Sequence, residues 1–233
     1  MHYFGGKFKI SKDLANVLNP ITKDKPFVDL FCGACNVIEK ITTASSRMAN
    51  DNNPYLIALL KAVQDGWKPP IVVSEQEYRY TMSHLDENPA LSGFIGIGCS
   101  YCGGWKNGYA RANNSGQNYS KGAHNTLLRQ KQKLEGLLLT SYDYNKAPIP
   151  NGAVVYCDPP YKGTTNKYYT RKFDYDEFVK WVEANKDKYD IYISEYKENV
   201  SSWPTSYEIV WEKESCQGIA NRKKTTEVLI HAR

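Results

Sequence analysis

The chain has 233 residues, 41% of them hydrophobic and 24% charged, which is enough for one substantial core and excludes a disordered or low-complexity protein. A formal net charge of +5 permits a polyanionic partner without demanding one. The opening MHYFGGKFKISKDL lacks the apolar core of a signal peptide, and no stretch approaches the length of a bilayer span, so a cytoplasmic protein without a membrane partner is expected.

In chain order, KPFVDLF at 25–31 reads as a short buried strand, and CGACNVIEKITTAS reads as a helix with Val37, Ile38 and Ile41 at helical spacing. SRMANDNN is a weaker second strand closing on Asp51, followed by a helix that starts at Pro54 and carries the apolar face of YLIALLKAV. LEGLLLTSYDY, GAVVYC, YDIYIS, SYEIVW and TTEVLIHA continue the strands, with DYDEFVKWVEAN as an amphipathic helix between two of them. This alternation predicts a mostly parallel α/β sheet that binds ligands at the carboxyl ends of its strands.

Between about Gly66 and Gly122 the periodicity fades, and GFIGIGCSYCGGWKNGYARANNSGQNYSKGAHN is rich in glycine, asparagine, aromatics and cations. A long loop without function is uncommon inside a compact domain, so the segment reads as an insertion. The expected organisation is 1–65 and 126–233 as the two parts of one domain, with 66–125 as an inserted recognition region. Trp105, Lys106, Tyr109, Arg111 and Asn113 combine stacking faces, cationic charge and an amide, the mixture that DNA contact requires. Most of the 18 tyrosines are expected simply to pack.

Six cysteines include the pairs Cys32/Cys35 and Cys99/Cys102, each spaced C-x-x-C. The two pairs lie too far apart for a zinc ribbon, and CGAC sits at a strand end where a ligand loop fits better, so free thiols and no metal are expected.

Acids end several strands: Asp29 in the first, Asp51 after the second, Asp143 after LLLTSY and Asp158 after GAVVYC. In an open α/β sheet such positions line one crevice. Asp158, Pro159, Pro160 and Tyr161 form DPPY, a sequence expected by chance in a chain of this size on the order of one time in a thousand. Two prolines end the ladder and stiffen its exit.

With YFGGK at 3–7, FCGAC at 31–35, MANDNNP at 48–54, DPPYKGT at 158–164 and KKTTEVLI at 223–230, the chain resembles the Dam-like DNA adenine methyltransferases that use S-adenosylmethionine (SAM). The resemblance implies a Rossmann-like methyltransferase sheet, mostly parallel with the last strand antiparallel, carrying an inserted target-recognition subdomain. It implies methyl transfer from SAM, leaving S-adenosylhomocysteine, to N6 of an adenine flipped out of double-stranded DNA, with no metal and no obligatory protein partner. Tyr3 and Lys7 would belong to the SAM site, with Lys7 also near the DNA. Phe31, Gly33 and Ala34, following Asp29, would border the methionine part. Asp51 would hold the ribose, Asp143 with Tyr144 would border the SAM adenine, and Asp158 would also belong to the SAM site.

An exocyclic amine is a poor nucleophile because its lone pair is delocalised into the ring. The Asp158 side chain and the Pro159 carbonyl, held rigid by the double proline, would accept its hydrogens, and Tyr161 would stack on the flipped base. Two residues depart from the family pattern: Cys35 stands where a glycine is usual, and Glu195 in ISEY where a neutral polar residue is expected. The same acceptors would serve N4-cytosine methylation, and a DNA-binding module with a decayed catalytic site is a further alternative.

Overall fold

The computed structural model describes residues 3, 5–111, 118–162, 173–204, 206–217 and 223–232. In chain order the elements are α1 (Ser11–Thr22), β1 (Pro26–Asp29), β2 (Ser46–Asn50), α2 (Pro54–Gln64), α3 (Glu75–Ser83), α4 (Pro89–Gly93), α5 (Tyr119–Leu134), β3 (Leu137–Thr140), β4 (Val154–Cys157), α6 (Tyr175–Asn185), β5 (Asp190–Tyr196), β6 (Glu208–Gln217) and β7 (Lys223–Ala232). The strands form one sheet ordered β3-β2-β1-β4-β5-β7-β6. Neighbours from β3 to β5 pair in parallel, and β7 runs antiparallel to both β5 and β6. This is the expected mostly parallel sheet, with its last strand reversed.

Alternation along the central strands splits the core into two layers. Phe27, Val154 and Tyr192 face the side covered by Leu14 and Leu18 of α1, Leu56 and Leu60 of α2 and Leu127 of α5. Val28, Val155 and Ile191 face the side covered by Phe178 and Val182 of α6. Both faces of each strand are therefore apolar, which is why these strands read as continuous hydrophobic runs. Each fully buried large side chain contributes roughly 1.5–3 kcal/mol.

Helix starts follow local chemistry. The Asn53 side chain accepts from the Tyr55 and Leu56 amides with Pro54 in the first turn of α2, Ser74 and Glu77 form a capping box on α3, and Asp174 caps α6.

The expected helix after CGAC does not form; turns lead to a short 3-10 segment, Ile38–Lys40. Gly33 (φ 47°) and Cys35 (φ 59°) are left-handed, and two such residues interrupt a right-handed helix at its start. Val37, Ile38 and Ile41 are buried all the same, so their spacing served the core rather than a helix.

The described part of the middle region is largely helical. α4 runs on into a π-helical turn, Phe94–Gly98, and packs on α2 so closely that a Cβ at Gly93 would lie 2.0 Å from the Tyr55 carbonyl oxygen. The boundary expected near 125 falls inside α5, whose Leu127 and Leu134 belong to the main core. No helix among the described residues is long and apolar enough to cross a membrane.

Candidate active site

At the carboxyl ends of β1, β2 and β4 lies a cleft of about 300 Å³. It gathers Tyr3, Lys7, Asp29, Phe31, Gly33, Ala34, Asp51, Asp143, Tyr144, Asp158 and Pro160.

Asn50, which sequence reasoning passed over, stitches the strand ends together. Its amide donates to the Leu30 and Tyr142 carbonyls at 3.2 and 3.0 Å, and its oxygen accepts from Thr140 Oγ1 and the Tyr142 N–H, both at 3.0 Å. The next residue, Asp51, is thereby presented to the cleft. Its Oδ2 accepts the Gly33 N–H at 3.1 Å and its Oδ1 the Asn53 N–H at 2.9 Å. Each oxygen keeps a further lone pair for a ligand hydroxyl. Burial pushes the Asp51 carboxyl up to about 6 against the opposing pull of those two amides.

Gly33 answers to a close approach. Besides its left-handed φ, a Cβ there would come within 3.0 Å of the Tyr3 ring. Ala34 is held from α5, where Gln130 Nε2 donates to its carbonyl at 2.7 Å.

Cys35 bears the same backbone conformation without glycine's freedom, at a cost of about 1 kcal/mol. We expect Cys35→Gly, which relieves that strain, to be more stable in urea unfolding than Cys35→Ala, which keeps it, by at least about 0.5 kcal/mol. An alanine variant more stable than the glycine variant would contradict this.

Asp29, buried at the end of β1, lines the cleft, and its Oδ1 has no hydrogen-bond partner among the described residues. Burial, then the charges of Asp158 and Asp51, push its carboxyl well above the usual carboxylate range.

The opposite wall is aromatic. Tyr144 packs against Phe31, Phe173 and Phe178 with ring centres 5.2–5.9 Å apart, and Phe31 meets Phe173 edge-on at 5.8 Å. Burial pushes the Tyr144 hydroxyl up to about 12. Phe173 joins this wall from just before α6, a placement that nothing in the local sequence signals. Asp143 stands beside it, ahead of the 3-10 turn Tyr144–Lys146.

The double proline carries the chain out of β4. Asp158 ion-pairs with Lys7, Nζ to Oδ1 at 2.9 Å. Pro159 and Pro160 are buried, and the Tyr175 hydroxyl donates to the Pro160 carbonyl. Tyr161 is buried beneath Lys7, whose Nζ lies 4.4 Å from the ring centre, and meets Tyr196 edge-on at 4.4 Å. Its hydroxyl donates to Glu227 Oε2 at 3.4 Å. Burial raises Asp158, and the Lys7 charge only partly offsets it. For Lys7 burial acts downward, but the charges of Asp158 and Glu227 outweigh it and leave its pKa raised. Glu195 is fully buried; its Oε1 accepts from Asn199, whose amide also donates to the Lys162 carbonyl. The unexpected carboxyl thus anchors the exit of the turn.

The residues expected to touch DNA divide. Trp105 and Tyr109 are half-buried and already engaged: Trp105 stacks on Tyr55 at 5.3 Å with Gly96 against its ring, and the Tyr109 hydroxyl donates to the Val73 carbonyl at 2.7 Å. Arg111 is exposed and forks onto Glu75 at 2.8 and 3.0 Å, and Lys106 is exposed. Lys7 is buried in the cleft, not on a surface. Asn113 lies outside the described residues. Cys32, Cys35, Cys99 and Cys102 are free thiols, and among the described residues no cluster of three or more His, Cys, Asp or Glu is arranged to hold a metal.

A mostly parallel sheet closed by one reversed strand, with a cleft at its strand ends, is the sheet of the Rossmann-like methyltransferases. The model of the D12 class N6 adenine-specific DNA methyltransferase family matches residues 3–92 and 105–216, and the chain belongs to that family. No curated protein matches the chain at a significant level. Among solved structures, the Escherichia coli methyltransferase yhhF is 12% identical, with 96% of this chain and 84% of that one covered and a TM-score of 0.42. The rRNA methyltransferase aviRa from Streptomyces viridochromogenes is 10% identical, with 95% and 82% covered and a TM-score of 0.40. An rRNA methylase from Streptococcus thermophilus is 11% identical, with 96% of each chain covered and a TM-score of 0.39.

Proposed function

We propose that this methyltransferase acts on double-stranded DNA in the cytoplasm, moving a methyl group from SAM to N6 of a flipped-out adenine. The observation that carries the reading is the placement of Asp158, behind two buried prolines, in the same cleft as Asp51 and the Phe31–Tyr144–Phe173 wall.

The residues present fit SAM. Asp51 keeps acceptor capacity for two ribose hydroxyls, the aromatic wall suits a purine face, and the unpartnered Asp29 Oδ1 with the close Gly33 turn suits the polar methionine end. Bound there, SAM supplies an electrophilic methyl group. Asp158 and the Pro159 carbonyl would hold the two amine hydrogens, drawing density back onto the nitrogen and aiming its lone pair. After transfer the nitrogen carries a surplus proton, and the buried Asp158 carboxylate, its pKa raised, is suited to take it. Tyr161 would receive the base from the opened duplex.

The test is transfer of labelled methyl from SAM to duplex DNA, single-stranded DNA and structured RNA in parallel. Label in duplex DNA but not RNA is the expected result; label in RNA alone would reject the substrate assignment.

Asp51 also gives a pH dependence. Ribose hydroxyls donate to its ionised form, so SAM affinity should be full at pH 7.5 and fall as pH drops through about 6, by up to roughly 10-fold at pH 5. Calorimetric titration across that range checks it, and an affinity flat from pH 7.5 to 5 would contradict it.

A further inference from the structure

Lys7 occupies both features assigned above to the target amine. Its ammonium lies 2.9 Å from Asp158 Oδ1 and 4.4 Å from the centre of the Tyr161 ring. A base entering to use that acceptor and that face must first move the lysine. The ammonium is buried, and an unpaired buried charge is strongly disfavoured, so it needs another partner close by.

Glu227 provides one. It lies on β7, registered opposite Tyr196 of β5, and is itself buried. Its Oε2 stands 3.8 Å from Lys7 Nζ, less than 1 Å farther than Asp158 Oδ1. The same oxygen accepts the Tyr161 hydroxyl, which ties the stacking residue to the second acceptor. Among the described residues the other groups acting on the ammonium are the Gly5 carbonyl at 3.5 Å and Tyr196, and neither is a carboxylate.

We propose that Glu227 is a positioning residue that takes over the Lys7 ammonium when the target amine engages Asp158, clearing the acceptor and the Tyr161 face together. The inference rests on the DNA methyltransferase reading above. It makes the free site self-occupied: a base gains entry only by displacing an internal cation into a prepared place.

The test is a double-mutant cycle of Glu227→Gln and Lys7→Met, read as kcat and KM for DNA, with SAM affinity measured by calorimetry. Glu227→Gln keeps the side-chain shape and should lower kcat/KM for DNA by about 10-fold or more, because the displaced ammonium then has no carboxylate to receive it. SAM affinity should stay within about twofold of wild type, since Glu227 does not line the SAM cleft. In the Lys7→Met background the same Glu227→Gln change should have no further effect. An equal loss in both backgrounds, from a folding defect or any other cause, overturns the proposal, as does a Glu227→Gln enzyme that behaves like wild type. A wild-type enzyme that transfers no methyl group to DNA would instead overturn the reading on which the proposal rests.

Discussion

Asp158→Ala is expected to lower methyl transfer by about a thousandfold or more, while SAM affinity falls by less than about tenfold. The asymmetry follows from where the side chain points. Asp158 stands at the exit of β4 with its carboxylate 2.9 Å from Lys7 Nζ, while the aromatic wall and the Asp51 carboxylate are built from other segments lining the same cleft. Its assigned work is done on the amine, so its loss removes an interaction felt in the transition state and leaves most cofactor contacts intact. Asp158→Asn should fall between the two, because the amide keeps one acceptor oxygen but turns a donor toward an amine that also donates. Single-turnover rates at saturating SAM check both variants, and normal turnover in Asp158→Ala would refute the assigned role.

Asp51→Ala should raise the SAM dissociation constant by about a hundredfold, the effect of losing two hydrogen bonds to a charged group. The change also deprives the Gly33 and Asn53 amides of their acceptor, so the turn proposed to border the methionine end loses its tether to the end of β2. Turnover at saturating SAM should change far less, because the role assigned to Asp51 is at the ribose and not at the reacting nitrogen. Calorimetric titration with SAM measures the loss, and affinity within twofold of wild type would show that the ribose is held elsewhere.

The parts of this site legible in the sequence are those written in consecutive residues. Asp158 to Tyr161 announce themselves because a double proline after an apolar run has few structural meanings. Asp51 is legible because a strand, an acid and a proline-started helix follow one another. Other parts depend on distant segments meeting. Glu227 reaches Tyr161 across 66 positions and Gln130 reaches Ala34 across 96, and neither carries a local pattern that names its partner. The helix expected after CGAC failed because apolar spacing reports which side chains are buried, while the left-handed Cys35 decides the backbone path. Helix α1 was hidden by Pro20 near its end and by the lack of a side-chain cap at its start. In the middle region Trp105 and Tyr109 look like open stacking faces in the sequence because composition cannot distinguish an aromatic that waits for a base from one that already has a neighbour.

The most direct measurement of the central claim is nucleoside mass spectrometry of unmethylated duplex DNA after incubation with the enzyme and isotopically labelled SAM, with Asp158→Ala run in parallel. The account predicts labelled N6-methyldeoxyadenosine from the wild-type enzyme and none from the variant. Label found only in N4-methyldeoxycytidine, or equal labelling by Asp158→Ala, would contradict it.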